Sequence, residues 1–459
     1  MSSPPSSDEN IKVLRIIARL NIGGPAIHTI LLSRRMEDLG YETLLAAGQV
    51  GPEEGDMSYL AEAEGVKPVV IPNLGSRLQP LDDLRVFVRI LRLMFALRPH
   101  IVHTHTAKAG AVGRLAALIY NKVQGLRHKA QDLVRGAVPR QGTQEQSESI
   151  TNDKCKVVHT FHGHVLHGYF STFKSRSFQL IEKILARFTD VIIVVSEQQQ
   201  EELCWKFGVG RPEQYRVVPL GLDLRPFKSA SESKGKLKSD LRLSENRESL
   251  VGIVGRLTPI KNHSLFLKSV SALMKENSNT RARFLIVGDG ELCKDLEEMT
   301  RELALMDRVI FTGWIKDLKA FYADLDVLAL TSNNEGTPVA VIEAMAAEVP
   351  VIATDVGGVR ELISDFETGN PPEGWESEGQ FRIAELSEGE FEICERGLLV
   401  SKGDTKGFAK GLKYLLEHPK EGREMGKRGR EYALEKHTME RLVSDMDSLY
   451  QALLSRNDK

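Results

Sequence analysis

Thirteen short apolar runs, interleaved with longer helical patterns, constrain this chain more than any other feature of it. The first series is "IKVLRII" (11–17), "ETLLAA" (42–47), "KPVVIP" (67–72), "HIVHTH" (100–105), "KVVHTF" (156–161), "DVIIVVS" (190–196) and "YRVVPL" (215–220). The second is "LVGIVG" (250–255), "RFLIVG" (283–288), "RVIFTG" (308–313), "DVLALTS" (326–332), "VPVIATD" (349–355) and "RGLLVS" (396–401). Continuous rather than alternating apolarity marks strands covered on both faces. Regular alternation of such strands with helices predicts α/β domains, here two doubly wound parallel sheets. A length of 459 residues accommodates two such domains.

A polar stretch rich in Ser and Lys, residues 227–249, separates the two series and places the boundary near residue 225. The expected organisation is a disordered tail at 1–10, an N-terminal domain at 11–225 and a C-terminal domain at 226–436. An amphipathic helix within 437–459 completes it. Residues 126–154 and 370–394 break the strand–helix rhythm and read as insertions. Apolar content of 41% and charged content of 27% suit a packed core. A net charge of -2 gives no support to nucleic-acid binding. Residues 1–225 hold 28 basic and 23 acidic side chains, against 33 and 40 in the rest, so one domain could face an anionic surface. Four scattered cysteines suggest neither a disulfide framework nor a zinc site. No apolar run reaches the roughly 18 residues of a membrane span. A cytoplasmic protein with at most peripheral membrane contact is expected.

In open α/β sheets ligands bind beyond the carboxyl ends of the strands, and the polar motifs fall there. "RLNIGGPAIHTILL" (19–32) follows the first strand, with Gly23 and Gly24 permitting close backbone approach and Pro25 suiting a first helical turn. It lacks the G-x-G-x-x-G pattern of a dinucleotide site and, alone, reads more often as a tight turn than as a phosphate loop. "GRLTPIKNH" (255–263) sets Arg256 and Lys261 at another strand end, where two cations suit a diphosphate or are simply solvated. In "EGTPVAVIEAMA" (335–346), Thr337 reads as an N-cap and Pro338 as the first helical residue. Val339 and Ala340 would then offer unpaired N–H groups to an anion. Glu335 precedes that helix and Glu343 lies within it; carboxylates accept hydrogen bonds from hydroxyls, so sugar hydroxyls would engage both, although Glu343 could also be a solvated helix edge.

"HTFHGHVLHG" (159–168) is dense in histidine, but strand alternation sends His159 to a different face from His162, and three metal ligands are not evident. One histidine entering a cleft is the preferred reading. His103, His105 and Lys108 repeat the arrangement one strand earlier. Asp324 and Asp326 resemble a D-x-D clamp yet occupy the amino end of a strand, so they are read as structural. Residues 81–100 form an amphipathic helix whose Arg85, Arg89 and Arg92 are either a solvated face or a seat on anionic lipid.

In joint order and spacing these motifs resemble glycosyltransferase family 4, the retaining enzymes of GT-B fold, nearly end to end. The resemblance is carried by "IGG", "HTFHGH", "VSE", "VVPLGLD", "GRLTPIKN", "VGDGE", "FTGW" and "EGTPVAVIEAMAAEVPVIATDVGGVRELI". Its most specific part is G-R-x(4)-K followed by E-x(7)-E. The resemblance implies two Rossmann-like domains facing a deep cleft, the final helix packing back on the N-terminal one. It implies transfer of a hexosyl or N-acetylhexosaminyl unit from a nucleotide sugar, UDP-linked, to a saccharide or lipid-linked saccharide, without metal or other cofactor. Arg256 and Lys261 would hold the diphosphate, Glu343 the ribose and Glu335 the transferred sugar. Gly255 and the backbone from Gly336 through Thr337, Pro338 and Val339 to Ala340 would line the donor site. Gly23 and Gly24 would approach the phosphate, and His162 the donor sugar; His103, His105, Lys108 and His164 fall on the acceptor side. Competing readings are a nucleotide-sugar 2-epimerase on the same fold and a non-catalytic nucleotide-sugar-binding protein; a P-loop ATPase is excluded, because the chain has no G-x(4)-G-K-[ST]. Glu348 stands where the family commonly has glycine; if that helix end takes positive φ, it costs on the order of 1 kcal/mol.

Overall fold

A computed structural model describes residues 10–51, 55–75, 79–136, 154–163, 172–243, 248–277, 280–364 and 387–455. Most of 126–154 and of 370–394, with His164, lies outside the described residues. The chain divides into two compact units, Met1–Val195 with Gln200–Val218 and Leu442–Lys459, and Ser196–Gln199 with Pro219–Arg441. The main division thus falls at 218/219, where the sequence had suggested a position near 225.

The first unit holds a seven-stranded parallel sheet, ordered β3-β2-β1-β4-β5-β6-β7. Its strands are β1 (Lys12–Ile17), β2 (Glu42–Ala47), β3 (Val69–Val70), β4 (Ile101–His105), β5 (Lys156–Phe161), β6 (Val191–Val194) and β7 (Tyr215–Val217). Successive side chains of β1 enter opposite cores: Leu14 and Ile16 join Val102, Val157, Ile90 and Met94, while Ile17 joins Leu45, Ile30 and Ala26. Arg15, between them, is fully buried and has no carboxylate partner among the described residues. Its guanidinium donates to Ser33 Oγ (3.5 Å) and Tyr450 Oη (3.4 Å), and Tyr450 belongs to the Met439–Ser455 helix. That helix is further tied by Asp447, which accepts from Tyr41 Oη at 2.5 Å.

The second unit holds β8 (Ser249–Val254), β9 (Ala282–Val287), β10 (Val309–Gly313), β11 (Val327–Leu330), β12 (Val351–Thr354), β13 (Phe391–Ile393) and β14 (Gly397–Val400). Their order is β10-β9-β8-β11-β12-β14-β13, parallel except for β13. β13 corrects the reading of 370–394 as wholly an insertion: residues 391–393 pair antiparallel with β14 as an edge strand. Three residues flanked by Glu390 and Cys394 are too few to register as an apolar run. One core, with Val251, Ile253, Phe266, Phe284, Ile286, Leu398 and Phe408, fills the space beneath the sheet. Asp324 and Asp326 are structural: Asp324 accepts from the Lys238 amide at 3.0 Å, and Asp326 from the Leu250 amide at 2.8 Å.

Glu348 does adopt positive φ, 61°, at the end of the Val339–Ala346 helix. The chain turns sharply there, the Val349 amide donating to Ala344 O at 2.9 Å. Glu348→Gly is expected to stabilise the protein by up to about 1 kcal/mol, the relief of left-handed strain exceeding the loss of the half-exposed Arg430 pair. Denaturant midpoints measure this, and an unchanged or lowered midpoint would mean that the Arg430 pair outweighs the strain.

Candidate functional site

The order of the second sheet reverses between β8 and β11, and the carboxyl ends of these two neighbouring strands are where a doubly wound sheet has its binding crevice. From β8 come Gly255, Arg256 and the turn Pro259–Lys261; from β11 come Thr331 to Pro338 and then the Val339–Ala346 helix. The two loops are laced together. Thr331 Oγ donates to Lys261 O (3.1 Å) or Asn262 O (3.0 Å), and the Asn333 amide to Ile260 O (2.7 Å). Asn262 takes the left-handed conformation, φ 49°, which turns the chain into the His263–Glu276 helix and holds Lys261 in the turn.

Lys261 Nζ and Ser332 Oγ both donate to Glu335 Oε1, each at 2.6 Å. Lys261 and Glu335, read from the sequence as taking different parts of one ligand, are therefore joined directly. Oε2 of Glu335 has no partner among the described residues and can accept from a hydroxyl. The side chain of half-buried Arg256 likewise has no hydrogen-bonding or ionic partner among the described residues, so its guanidinium is available to an anion.

The helix beginning differs from expectation. Pro338, not Thr337, is the N-cap, with φ -72° and ψ 116°. Its carbonyl accepts from the amides of Val341 (3.1 Å) and Ile342 (3.4 Å), so the helix proper starts at Val339. Behind the loop, the Gly358 amide donates to Gly336 O at 2.9 Å. Gly357 lies so close that a Cβ there would stand 1.8 Å from Glu335 O.

Glu343 is buried, and Tyr322 Oη donates to its Oε2 at 2.9 Å, or to Ala340 O at 3.2 Å. Burial pushes the Glu343 carboxyl up from 4.5 to about 7, the Tyr322 hydrogen bond opposing it. A carboxyl raised in this way keeps its proton in the folded chain where the unfolded chain has lost it. Stability therefore falls as pH rises from about 4.5 to about 7. Glu343→Gln is expected to flatten that decline, which urea midpoints at about pH 5 and about pH 8 would reveal; an unaltered slope would place the titration elsewhere.

In the first unit Gly23 is the N-cap and Gly24 the first residue of the Gly24–Glu37 helix, with Pro25 in its first turn. His105 and His162 meet at the carboxyl ends of β4 and β5, Nδ1 to Nε2 at 2.9 Å, with the His28 ring 4.8 Å from that of His162. Burial lowers the His162 pKa to about 4, so at neutral pH the ring is uncharged. His159 lies on the other face, against Thr104 and Phe161. Two acceptor-side assignments are corrected. His103 is fully buried within β4, its Nδ1 bound to Tyr450 Oη and its Nε2 to Thr160 Oγ, each at 2.7 Å. Lys108 is paired with Asp83 at 2.7 Å, its side chain almost wholly buried. Sequence reasoning missed Tyr322, Ser332 and His28, which act through contacts that no local spacing encodes; Gly357 alone had a signal, in "DVGGVREL".

The family model described as Glycosyl transferases group 1 matches residues 237–371, and that of the Glycosyl transferase 4-like domain matches residues 23–221. The chain is 28% identical over 306 residues to the UDP-Gal:alpha-D-GlcNAc-diphosphoundecaprenol alpha-1,3-galactosyltransferase of Escherichia coli, covering 66% of this chain and 70% of that protein. It is 25% identical to the putative glycosyltransferase EpsD of Bacillus subtilis, over 83% of this chain and 85% of that one. Among solved structures, Anabaena HepE in complex with UDP shares the fold, with a TM-score of 0.70 at 19% identity, over 96% of this chain and 100% of that one.

Proposed function

The chain belongs to the group 1 glycosyltransferases, of GT-B fold, and on that premise we propose that it transfers a hexosyl or N-acetylhexosaminyl unit from a UDP-sugar, with retention, to a saccharide or lipid-linked saccharide. The observation that carries the reading is the second unit's crevice. There an unengaged Arg256, the Lys261–Glu335 pair and a helix N-terminus stand together on two laced loops. The E. coli relative uses a UDP-sugar and a diphosphoundecaprenol-linked acceptor, and the HepE complex holds UDP, which supports the donor and acceptor classes.

Departure of the nucleotide builds negative charge on its β-phosphate. Arg256 forks onto the phosphate oxygens, and Lys261, aligned by Glu335, adds a point charge. The amides of Val339 and Ala340 add the helix's positive end. This set supplies the charge stabilisation a divalent metal would otherwise give, which supports metal-independent transfer. Glu343 accepts from the ribose hydroxyls, and Glu335 Oε2 from a hydroxyl of the transferred sugar. Because hydroxyls donate, donor KM falls as Glu343 ionises near pH 7. With the acceptor on the donor's front face, the leaving phosphate takes the acceptor proton, so no carboxylate nucleophile is required. The reading places the protein in the cytoplasm at the inner face of the membrane, with contact to anionic lipid. Among the described residues, no helix is long and apolar enough to cross a membrane.

The test is a donor screen with the purified chain. Slow UDP release from one UDP-sugar, abolished by Glu343→Ala, is expected; epimerised donor with no nucleotide released would overturn the reading.

A further inference from the structure

We propose that the first unit docks on an anionic lipid surface through the Thr172–Ala186 helix, the turn after it and the Trp205 segment, rather than through the Pro80–Leu97 helix. Leu180, Ile181, Ile184 and Phe188 are all large, apolar and exposed, Leu180 by 60%. At 3.6 residues per turn Leu180, Ile181 and Ile184 occupy about 100° of arc, and Phe188 follows in the turn. The opposite side of the helix is the one that packs, with Glu182 turned inward onto Arg114 Nη2 at 2.7 Å and Ala186 in the core beside Leu203 and Val209.

Arg176, Lys183 and Arg187, all exposed, run along one edge of this apolar stripe. Trp205, 69% exposed, and Lys206 lie on the adjoining segment. It lies beside the helix: a Cβ at Gly208 would stand 3.5 Å from Lys183 Nζ. Of the acids nearby, Asp190 is engaged by the Val157 amide (2.6 Å), Glu201 and Glu202 open the segment that ends at Lys206, and Glu213 lies beside Cys204. Apolar side chains to insert, an outward tryptophan and a cationic edge are what an interfacial helix offers to anionic headgroups. A twofold pairing of this face with a second copy would instead gather the four cations of each copy into one interface.

The Pro80–Leu97 helix lacks this combination. Its apolar stripe, Val86, Ile90 and Met94, is buried in the core, and Arg85 is already paired with Asp82 at 2.8 Å. Its exposed apolar residues, Leu81 and Leu84, share the first turns with Asp82 and Asp83.

The inference rests on the membrane contact contained in the function proposed above. Donor hydrolysis without lipid tests the enzyme separately, so the failure of one is distinguishable from the failure of the other. The full chain is sedimented with vesicles of phosphatidylcholine alone and of phosphatidylcholine mixed with phosphatidylglycerol, while tryptophan emission is followed. Binding to the anionic vesicles alone, weakening with salt, is expected, with a blue shift absent in Trp205→Phe. Lys183→Glu with Arg187→Glu is expected to weaken binding about thirtyfold or more, at roughly 1 kcal/mol per cation lost. Leu180→Ser with Ile184→Ser should also release the protein while leaving lipid-free donor hydrolysis intact, which certifies their folding. The proposal is overturned if neither vesicle binds, or if neutral vesicles bind equally. It also falls if only Arg85→Ala with Arg89→Ala and Arg92→Ala abolishes binding, or if the chain is a dimer that Leu180→Ser dissociates.

Discussion

Lys261→Ala is expected to lower the rate of sugar transfer by about two to three orders of magnitude, the usual consequence of removing one preorganised donor from a site of developing negative charge. The effect should lie in kcat more than in KM, because charge on the β-phosphate is greater in the transition state than in the bound donor. Lys261 is partly exposed and its partner Glu335 keeps the Ser332 hydrogen bond at 2.6 Å, so the loss of the ion pair costs little global stability. Thermal unfolding beside initial rates of UDP release separates the two effects. A rate that falls only in step with the folded fraction would remove Lys261 from the chemistry. Glu335→Gln is the companion: it retains the hydrogen-bonding shape but leaves Lys261 without its charged partner. A loss intermediate between wild type and Lys261→Ala is expected.

Much of this arrangement was legible because the information is local. Strand runs, the Gly23–Gly24 turn and the spacing within each of the pairs Arg256–Lys261 and Glu335–Glu343 are short-range patterns, and both sheets formed from the runs named. The short β13 escaped because its pairing partner, not its own composition, makes it a strand. The Pro338 cap was misplaced by one residue, since a Thr–Pro step favours either position and only the carbonyl's partners decide. His103 was misread for a subtler reason. Alternation puts it on the same face of β4 as His105, but it lies two residues farther from the strand end, where Tyr450 and Thr160 enclose it. What could not be read at all were pairs distant in the chain. Tyr322 reaches Glu343 from another helix, and Lys261 reaches Glu335 across 74 residues. These contacts alter the chemistry inferred: the cation and carboxylate assigned to separate parts of the donor prove to orient each other.

Gly357→Ala should disable the enzyme although residue 357 carries no chemistry. Two costs are separable. Its φ of +53° is left-handed, which costs an L-residue about 1–2 kcal/mol. Beyond that, the added Cβ would stand 1.8 Å from Glu335 O and 2.9 Å from its carbonyl carbon, and backbone atoms cannot rotate aside. The loop carrying Glu335 must shift by an ångström or so, breaking the Gly358–Gly336 hydrogen bond and moving both the carboxylate and the first turn of the Val339–Ala346 helix. A misplacement of about 1 Å in such a site lowers the rate by about a hundredfold. Gly313→Ala is the control, because Gly313 has a φ of +63° with nothing within 4 Å of its would-be Cβ. It should cost about 1–2 kcal/mol in denaturant unfolding and leave transfer intact. If the two variants lose equal stability and Gly357→Ala still transfers sugar at the wild-type rate, close packing behind the loop does not hold Glu335 in place. A large rate loss in Gly357→Ala alone would tie the function of the crevice to the backbone contact at its rear.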